Sequence, residues 1–417
     1  MQSDRKNMER MEDFVVDADH QQLQHMLTDS QWDHQALMDQ VASDCDALLG
    51  GSDESALLLD ESSFGKKGKC SVGVARQWSG RQGKVDNCQV AVYSALARGS
   101  EVGLLNVRLY LPEDWINNRS RCRKAKIPRQ EIRKRSKVEL ALEMVAHHRQ
   151  QGVRFAWVGA DGGYGKDPAF LRTLEEMGEV FVIDVHKDQH IYLQDPAPYI
   201  PSATSNKGRK PSRRVSDQST VRVDQWLKQQ PEGNWQTIRL RKGEKGELRA
   251  QFIEQSVWVW DKKEAQARRW RLLVRRELDS PNTLHFVLSN APERVRIDQL
   301  ARMHGQRFWI ERAFQNAKSE CGMADYQVRR WSAWYHHMAL SLMAQQFMLE
   351  ERIRQKDAYP MLSHSDIEQL LRTFLPRRDI SPDEVVRQIE KRHQKRQQVM
   401  ENHYIKQSIA DKVAGFG

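Results

Sequence analysis

Ala56-Leu57-Leu58-Leu59-Asp60-Glu61-Ser62-Ser63-Phe64-Gly65 decides the fold. Four apolar residues run without a break, and the chain then turns to acidic, hydroxyl and glycine residues. A short apolar run bounded by turn signals is the pattern of a buried strand, and this one has an acid at its exit. Phe155-Ala156-Trp157-Val158-Gly159-Ala160 repeats the arrangement, followed by Asp161 and then Gly162-Gly163. A second strand therefore also ends in an acid.

A third acid lies in a different pattern. From His304 through Arg307, Glu311 and Gln315 to Lys318 the spacing is helical; at about 100° per residue these five fall on one stripe roughly 80° wide. Ile310, Ala313, Phe314 and Ala317 lie beside it, a face suited to docking on a sheet. Glu311 is thus expected at the edge of the docked face, flanked by cations.

Taken singly, each acid has an ordinary explanation. An Asp after a strand is usually a turn former, and a charged helical stripe is usually solvated. The set carries more. Cutting a phosphodiester at neutral pH is helped by two divalent ions about 4 Å apart, and Mg²⁺ takes a few carboxylate oxygens plus water and substrate phosphate. Asp60, Asp161 and Glu311 would supply those oxygens, with Mn²⁺ able to substitute. Arg307 and Lys318 would hold phosphates beside the cut.

Around these acids the chain reads as mixed α/β. Residues 56 to about 112 predict three strands: the Asp60 strand, Cys70–Trp78 continuing after a turn through Gln89–Leu96, and Val102–Leu111. A helix near Val138–Gln150, the Asp161 strand, a helix at Pro168–Met177 and a strand at Val180–Val185 follow. Strands first, then strand and helix in alternation, fit a mixed sheet of ribonuclease H type. Residues 201–220 are basic and lack apolar periodicity, as in a mobile connection. Beyond them a period of two at Ile238/Leu240, Leu248/Ala250/Phe252, Trp270/Leu272/Val274 and Leu284/Phe286/Leu288 gives a β-rich insertion, with a hairpin turn at Gly243 to Gly246. Its Trp235, Trp258, Trp260 and Trp270 either pack that sheet or include one that stacks on an unpaired base.

The expected organisation is a helical N-terminal region over 1–52 that could bind DNA and the first part of the core over 53–200. The basic loop and insertion follow over 201–295, the core's completion with the Glu311 helix over 296–355, and a charged helical tail over 356–417. Within the N-terminal region two helices flank Asp29 to Asp33, with Asp29 and Ser30 as candidate caps. The pair reads as a helical hairpin or as a helix-turn-helix-like element.

Asp, Asp and Glu in this order, with Arg four positions before the Glu and Lys seven after it, resemble the DDE insertion-sequence transposases. The closer resemblance is to the bacterial branch whose third acid lies in a Tyr-x2-Arg-x3-Glu-x6-Lys signature. Leu59-Asp60-Glu-Ser-Ser-Phe-Gly-Lys-Lys-Gly68, Ala160-Asp161-Gly-Gly-Tyr-Gly165 and Cys321-Gly-Met-Ala-Asp-Tyr-Gln-Val-Arg-Arg-Trp331 add to it, over roughly residues 5 to 345. The signature tyrosine position holds His304, whose imidazole could still bond a phosphate oxygen. The stretch ahead of Asp60 is short for a region that binds terminal repeats. The resemblance implies a ribonuclease H-like core, double-stranded DNA as partner (terminal inverted repeats and target), and a homodimer in the synaptic complex. The alternatives are a host nuclease of the same fold and a DNA-binding relative that has lost activity.

Composition agrees with a polyanion partner. The 417 residues carry a net charge of +10, and between Arg119 and Lys137 ten residues are basic and one is acidic. Such a cluster either solvates a surface or contacts DNA; beside a candidate nuclease site it reads as phosphate contact. No signal-peptide pattern or long apolar run is present, so a cytoplasmic protein without a membrane segment is expected, at the nucleoid when DNA-bound. The five cysteines form no Cys-x-x-Cys pair and read as reduced thiols, and the adjacent pairs His147-His148 and His336-His337 diverge on a helix too far to chelate zinc.

Overall fold

The computed structural model describes residues 8–80, 82–202, 210–243, 246–378 and 381–414. They form two compact units, one of residues 27–367 and one joining the residues up to Met26 with those from Glu368 on.

Two short helices come first, α1 (Met8–Phe14) and α2 (His20–Thr28), and then α3 (His34–Leu49). The cap of α3 is Asp33, whose carboxylate accepts from the backbone of Gln35 and Ala36. Asp29, a candidate cap in the sequence, instead pairs with Arg330 at 2.6 Å. Met38, Val41, Ala42, Cys45 and Leu49 bury the inner face of α3, so this helix belongs to the core.

β1 (Ala56–Gly65), β2 (Ala75–Ser79), β3 (Lys84–Arg98) and β4 (Glu101–Leu109) follow. β1 is longer than its apolar run. It continues through the residues expected to turn and pairs antiparallel with β3 along its whole length. Asp60 is therefore mid-strand, and the expected exit at this residue is corrected. The reason is that Ser62 and Ser63, read as turn formers, are buried with partners: Ser63 Oγ lies 2.8 Å from Ser79 Oγ of β2. A hydroxyl that finds an acceptor can stay in a buried strand. The middle strand of the expected three is in fact two, since β2 and β3 form a hairpin.

α4 (Glu113–Ile116), α5 (Arg119–Lys124) and α6 (Lys137–Gln150) lead to β5 (Trp157–Ala160). Ser136 and Glu139 close a capping box at the start of α6. After β5 come α7 (Gly162–Gly165), α8 (Pro168–Glu176) and β6 (Phe181–Val185). β1, β5 and β6 are mutually parallel, as strand-helix-strand connections require. A two-stranded ribbon, β7 (His190–Ile191) with β8 (Val221–Arg222), brackets the basic connection, of which residues 203–209 lie outside the described residues. α9 (Val223–Leu227) leads into the insertion, β9 (Gln236–Gly243), β10 (Gly246–Val259), β11 (Arg268–Glu277) and β12 (Leu284–Ser289).

These last strands build no sheet of their own. β12 pairs antiparallel with β6, so ten strands form one sheet in the order β2-β3-β1-β5-β6-β12-β11-β10-β9, with β4 also on β3. Trp260 and Trp270 are buried in this layer, while Trp235 stacks under Arg276 at 4.1 Å.

α10 (Ile297–Gln306), α11 (Phe308–Ser319) and α12 (Trp331–Arg354) close the larger unit. Gly322, at φ +70°, follows the end of α11. α12 buries Trp331, Trp334, Tyr335, Met338, Leu342 and Leu349 among others, and its His336 bonds the carbonyls of Leu27 and Trp32 at 2.8 and 3.0 Å. α13 (His364–Phe374) precedes α14 (Pro382–Ala414), a long helix of alternating charge. In the smaller unit Lys391 of α14 pairs with Glu12 of α1 at 2.7 Å. No helix among the described residues is long and apolar enough to cross a membrane.

Candidate active site

The parallel strands place the acids. The last registered pairs are Leu59 with Ala160 and Ala160 with Ile183. The next residue on each strand is an aspartate: Asp60, Asp161 and Asp184 stand in one row across β1, β5 and β6. Successive side chains in a strand alternate faces, and partners in register share one.

Which face they take follows from Tyr93, the β3 residue paired with Asp60. Its ring meets Phe314 of α11 edge-on at 5.2 Å, so Asp60 faces α11. Ser62, two residues along β1, faces the same way and accepts from Lys318 Nζ at 2.6 Å. Ile310, Ala313, Phe314 and Ala317 are the buried face of α11, as the sequence expects.

The backbone around Asp161 is shaped by glycine. Asp161 caps α7, its Oδ1 accepting from Gly163 at 2.9 Å. A Cβ on Gly165 would lie 1.9 Å from the carbonyl oxygen of Asp184, so α7 can sit on β6 only with glycine there. The turn-former explanation of Asp161 thus holds for one carboxylate oxygen and leaves the other.

Arg307 joins the acids. Its Nη2 is 3.2 Å from Glu311 Oε1, its Nε 3.1 Å from Asp184 Oδ2 and its Nη1 3.9 Å from Asp60 Oδ2. Arg307 and Glu311 do not share one unbroken helix with His304, as the stripe predicts. The chain tightens at Arg307, whose N–H bonds to the carbonyl of His304 at 3.3 Å, and α11 begins after it. His304, expected to meet a phosphate, borders the same cleft as Arg307 and Glu311 but turns one ring nitrogen to an acid. It is 6% exposed, and Nε2 lies 2.8 Å from Asp184 Oδ1. Asp184 is what the sequence reading missed, although Val180-Phe-Val-Ile-Asp184 repeats the apolar-run-then-acid signal of the other two strands.

The acids differ in electrostatics. Burial, and then the neighbouring Asp161 carboxylate, push Asp60 up to about 7, against the pull of Arg307 and the Glu61 N–H. Burial also works against the charge on Asp184, but His304 and Arg307 outweigh it and hold this carboxyl below its ordinary range. Arg307 keeps its proton more firmly than usual: burial opposes its charge, while Asp184, Asp60, Glu311 and Asp161 favour it.

A divalent cation fits the donor chemistry of Asp60 and Asp161. They are hard oxygen ligands on adjacent strands, and an Asp held near 7 is short of positive charge. Glu311, with its side chain 51% exposed, is engaged by Arg307. In this conformation no group of three His, Cys, Asp or Glu among the described residues converges tightly enough to hold an ion.

A mixed sheet with a row of acids across its parallel strands, and a further acid on a helix docked against it, is a ribonuclease H-like nuclease arrangement. The family model described as DDE superfamily endonuclease matches residues 1–247, more than half of the chain, and the chain belongs to that family. The match spans Asp60 and Asp161 and ends before Glu311. A probable transposase for insertion sequence element IS701 from Microchaete diplosiphon is 25% identical over 321 residues, covering 76% of this chain and 71% of that one. Among solved structures, the NurA nuclease from Sulfolobus solfataricus aligns over 80% of this chain and 93% of its own at 10% identity, with a TM-score of 0.24.

Proposed function

We propose that this DDE-family endonuclease is an insertion-sequence transposase that cuts DNA at the element's ends and joins them to a target. The observation that carries the reading is the juxtaposition of Asp60 and Asp161 on adjacent parallel strands with Glu311, all within the field of Arg307. The similarity to an IS701 transposase supports it.

Asp60, Asp161 and Glu311 would hold two Mg²⁺, or Mn²⁺ in their place. When bound, these ions lower the pKa of a water and stabilise the leaving oxygen. Arg307 and Lys318 face the same side of the sheet and would bind the phosphodiester on either side of the cut, the guanidinium as a fork and the ammonium as a point charge. His304 serves this site through Asp184, which fixes Arg307. The nucleophile is first water, cutting at the element end, and then the freed 3′ hydroxyl, which attacks a second phosphodiester. No covalent enzyme–DNA bond is needed. Cutting two ends together calls for a homodimer, working on DNA at the nucleoid.

The test is a cleavage assay of the full chain on duplexes carrying the inverted repeats that flank its gene, with Mg²⁺ or Mn²⁺. Cutting at the repeat boundary with a free 3′ hydroxyl is expected. Genomic copies that all lack flanking repeats, together with cutting that ignores the repeat sequence, would make the protein a host nuclease instead.

A further inference from the structure

A cleft of about 1020 Å³ opens beside Arg307 and Glu311, and Arg241 of β9 and Arg275 of β11 line it. These strands flank β10, so both guanidiniums come from the insertion, not from the core that carries the acids. Arg241 lies against the rings of Phe308 and Trp309, at 4.3 and 4.7 Å, which places it next to the first turn of α11.

Both side chains hold donors in reserve. Arg241 Nη1 and Arg275 Nε are buried and have no hydrogen-bond partner. Arg275 is linked to Glu277 at 2.8 Å, and no carboxylate among the described residues stands within ion-pair distance of Arg241. Burial, and then the charge of Arg275, make Arg241 easier to deprotonate than a free arginine. Arg241 thus lines the cleft with no carboxylate of its own among the described residues, and an anion entering there would supply the missing counter-charge. A guanidinium fork matches the oxygens of a phosphate.

We propose that Arg241 and Arg275 form a second phosphate subsite, which grips the DNA backbone on the insertion side of Glu311. The proposal rests on the DNA-cutting reading and adds a role for the insertion: it holds the strand whose cut the core performs. Its donors come from β9 and β11, whereas Lys318 bonds Ser62 of β1; Arg307 shares the cleft, so the subsite extends the phosphate path from Arg307 toward the insertion.

The experiment is binding of a labelled end duplex to the full chain in metal-free buffer across a KCl series, with Arg241→Gln, Arg275→Gln and Arg241→Lys compared with wild type. Each Gln variant is expected to weaken binding several-fold and to lower the salt slope by about 0.9, the share of one phosphate. Arg241→Lys keeps the charge and loses the fork, so it should weaken binding while nearly keeping the slope. Unchanged affinity and slope in all three variants would overturn the subsite. Thermal stabilisation by inorganic phosphate that Arg241→Gln abolishes, with DNA binding unaltered, would also overturn it, by making the pair a free-anion site. Failure of the wild-type chain to bind any duplex would sink the DNA-cutting reading itself, whereas normal binding and cutting with unaffected variants would sink the subsite alone.

Discussion

His304 Nε2 and Asp184 Oδ1 lie 2.8 Å apart, in a buried pair. The other oxygen of Asp184 receives Arg307 at 3.1 Å, so the histidine sets the position of an arginine it does not touch through its side chain. His304→Ala should cost about 1–3 kcal/mol of stability, since it removes one partner of a buried carboxylate. It should also lower the cleavage rate with end binding kept. His304→Tyr, whose hydroxyl can donate to the same oxygen, should restore part of the rate. A His304→Ala variant that unfolds at the wild-type denaturant midpoint and cuts at the wild-type rate would remove the positioning role.

Asp60→Asn, Asp161→Asn and Glu311→Gln should each abolish cutting while gel-shift binding of end DNA persists. The first has a second signature. The folded-state value of Asp60 is raised from an ordinary value near 3.8 to about 7, so the folded chain binds more protons than the unfolded one between those values. Stability from this group is full at low pH and is lost as pH rises toward 7. In EDTA, Asp60→Asn should therefore melt above wild type at pH 8 and close to it at pH 4. Equal melting temperatures at both pH values would contradict the raised value.

Mn²⁺ should raise the melting temperature, because it binds the folded chain alone. Protons compete for Asp60, so the gain at pH 8 should exceed that at pH 6. Asp161→Asn should erase the gain. Stabilisation by Mn²⁺ that survives in both Asp60→Asn and Asp161→Asn would place the ion elsewhere.

Lys318→Ala should slow cleavage and reduce the salt slope of end binding by about one phosphate. Ser62→Ala, which removes only the hydroxyl that Lys318 contacts, should leave the slope as it is. A Lys318→Ala slope identical to wild type would take this lysine off the DNA path.

His148 is fully buried against Ser94 Oγ at 2.8 Å. Burial, then the charges of His147 and Arg108, push it down to about 3. The unfolded chain takes up this proton near pH 6.5 and the folded chain does not, so the stabilising contribution is present above 6.5 and is lost as pH falls toward 3. His148→Gln should flatten the loss of denaturant stability between pH 6.5 and 4. An unchanged pH profile would show that other groups govern acid unfolding.

Much of this arrangement is legible in the sequence, because apolar runs are local signals. The strands at Ala56 and Trp157 and the docked face of α11 depend on residues within one or two turns of each other. What is missing depends on partners far away. Ser62 and Ser63 read as a turn because nothing nearby reveals Ser79 and Lys318, the groups that allow them into a strand. His304 reads as a phosphate contact because Asp184, 120 residues earlier, carries the partner oxygen that nothing nearby reveals. Asp184 itself was within reach, since its strand has the same form as the other two, but a row of three becomes visible only when the register of β1, β5 and β6 is known. The Arg241 and Arg275 pair was beyond sequence reading, because neither strand shows that β10 brings them to one cleft.

The strands of the insertion are hydrogen-bonded through β12 to β6, the strand that bears Asp184. Mechanically this makes the insertion a lever welded to the carboxylate row, not a flap on a hinge. A twist applied at β9, where the cleft arginine sits, has an unbroken path of backbone bonds to the acid that fixes Arg307. Changes of length at the Gly243 to Gly246 tip should therefore be tolerated, whereas a one-residue slip of β12 against β6 would reverse its inward and outward faces and displace Val287 from its place opposite Asp184.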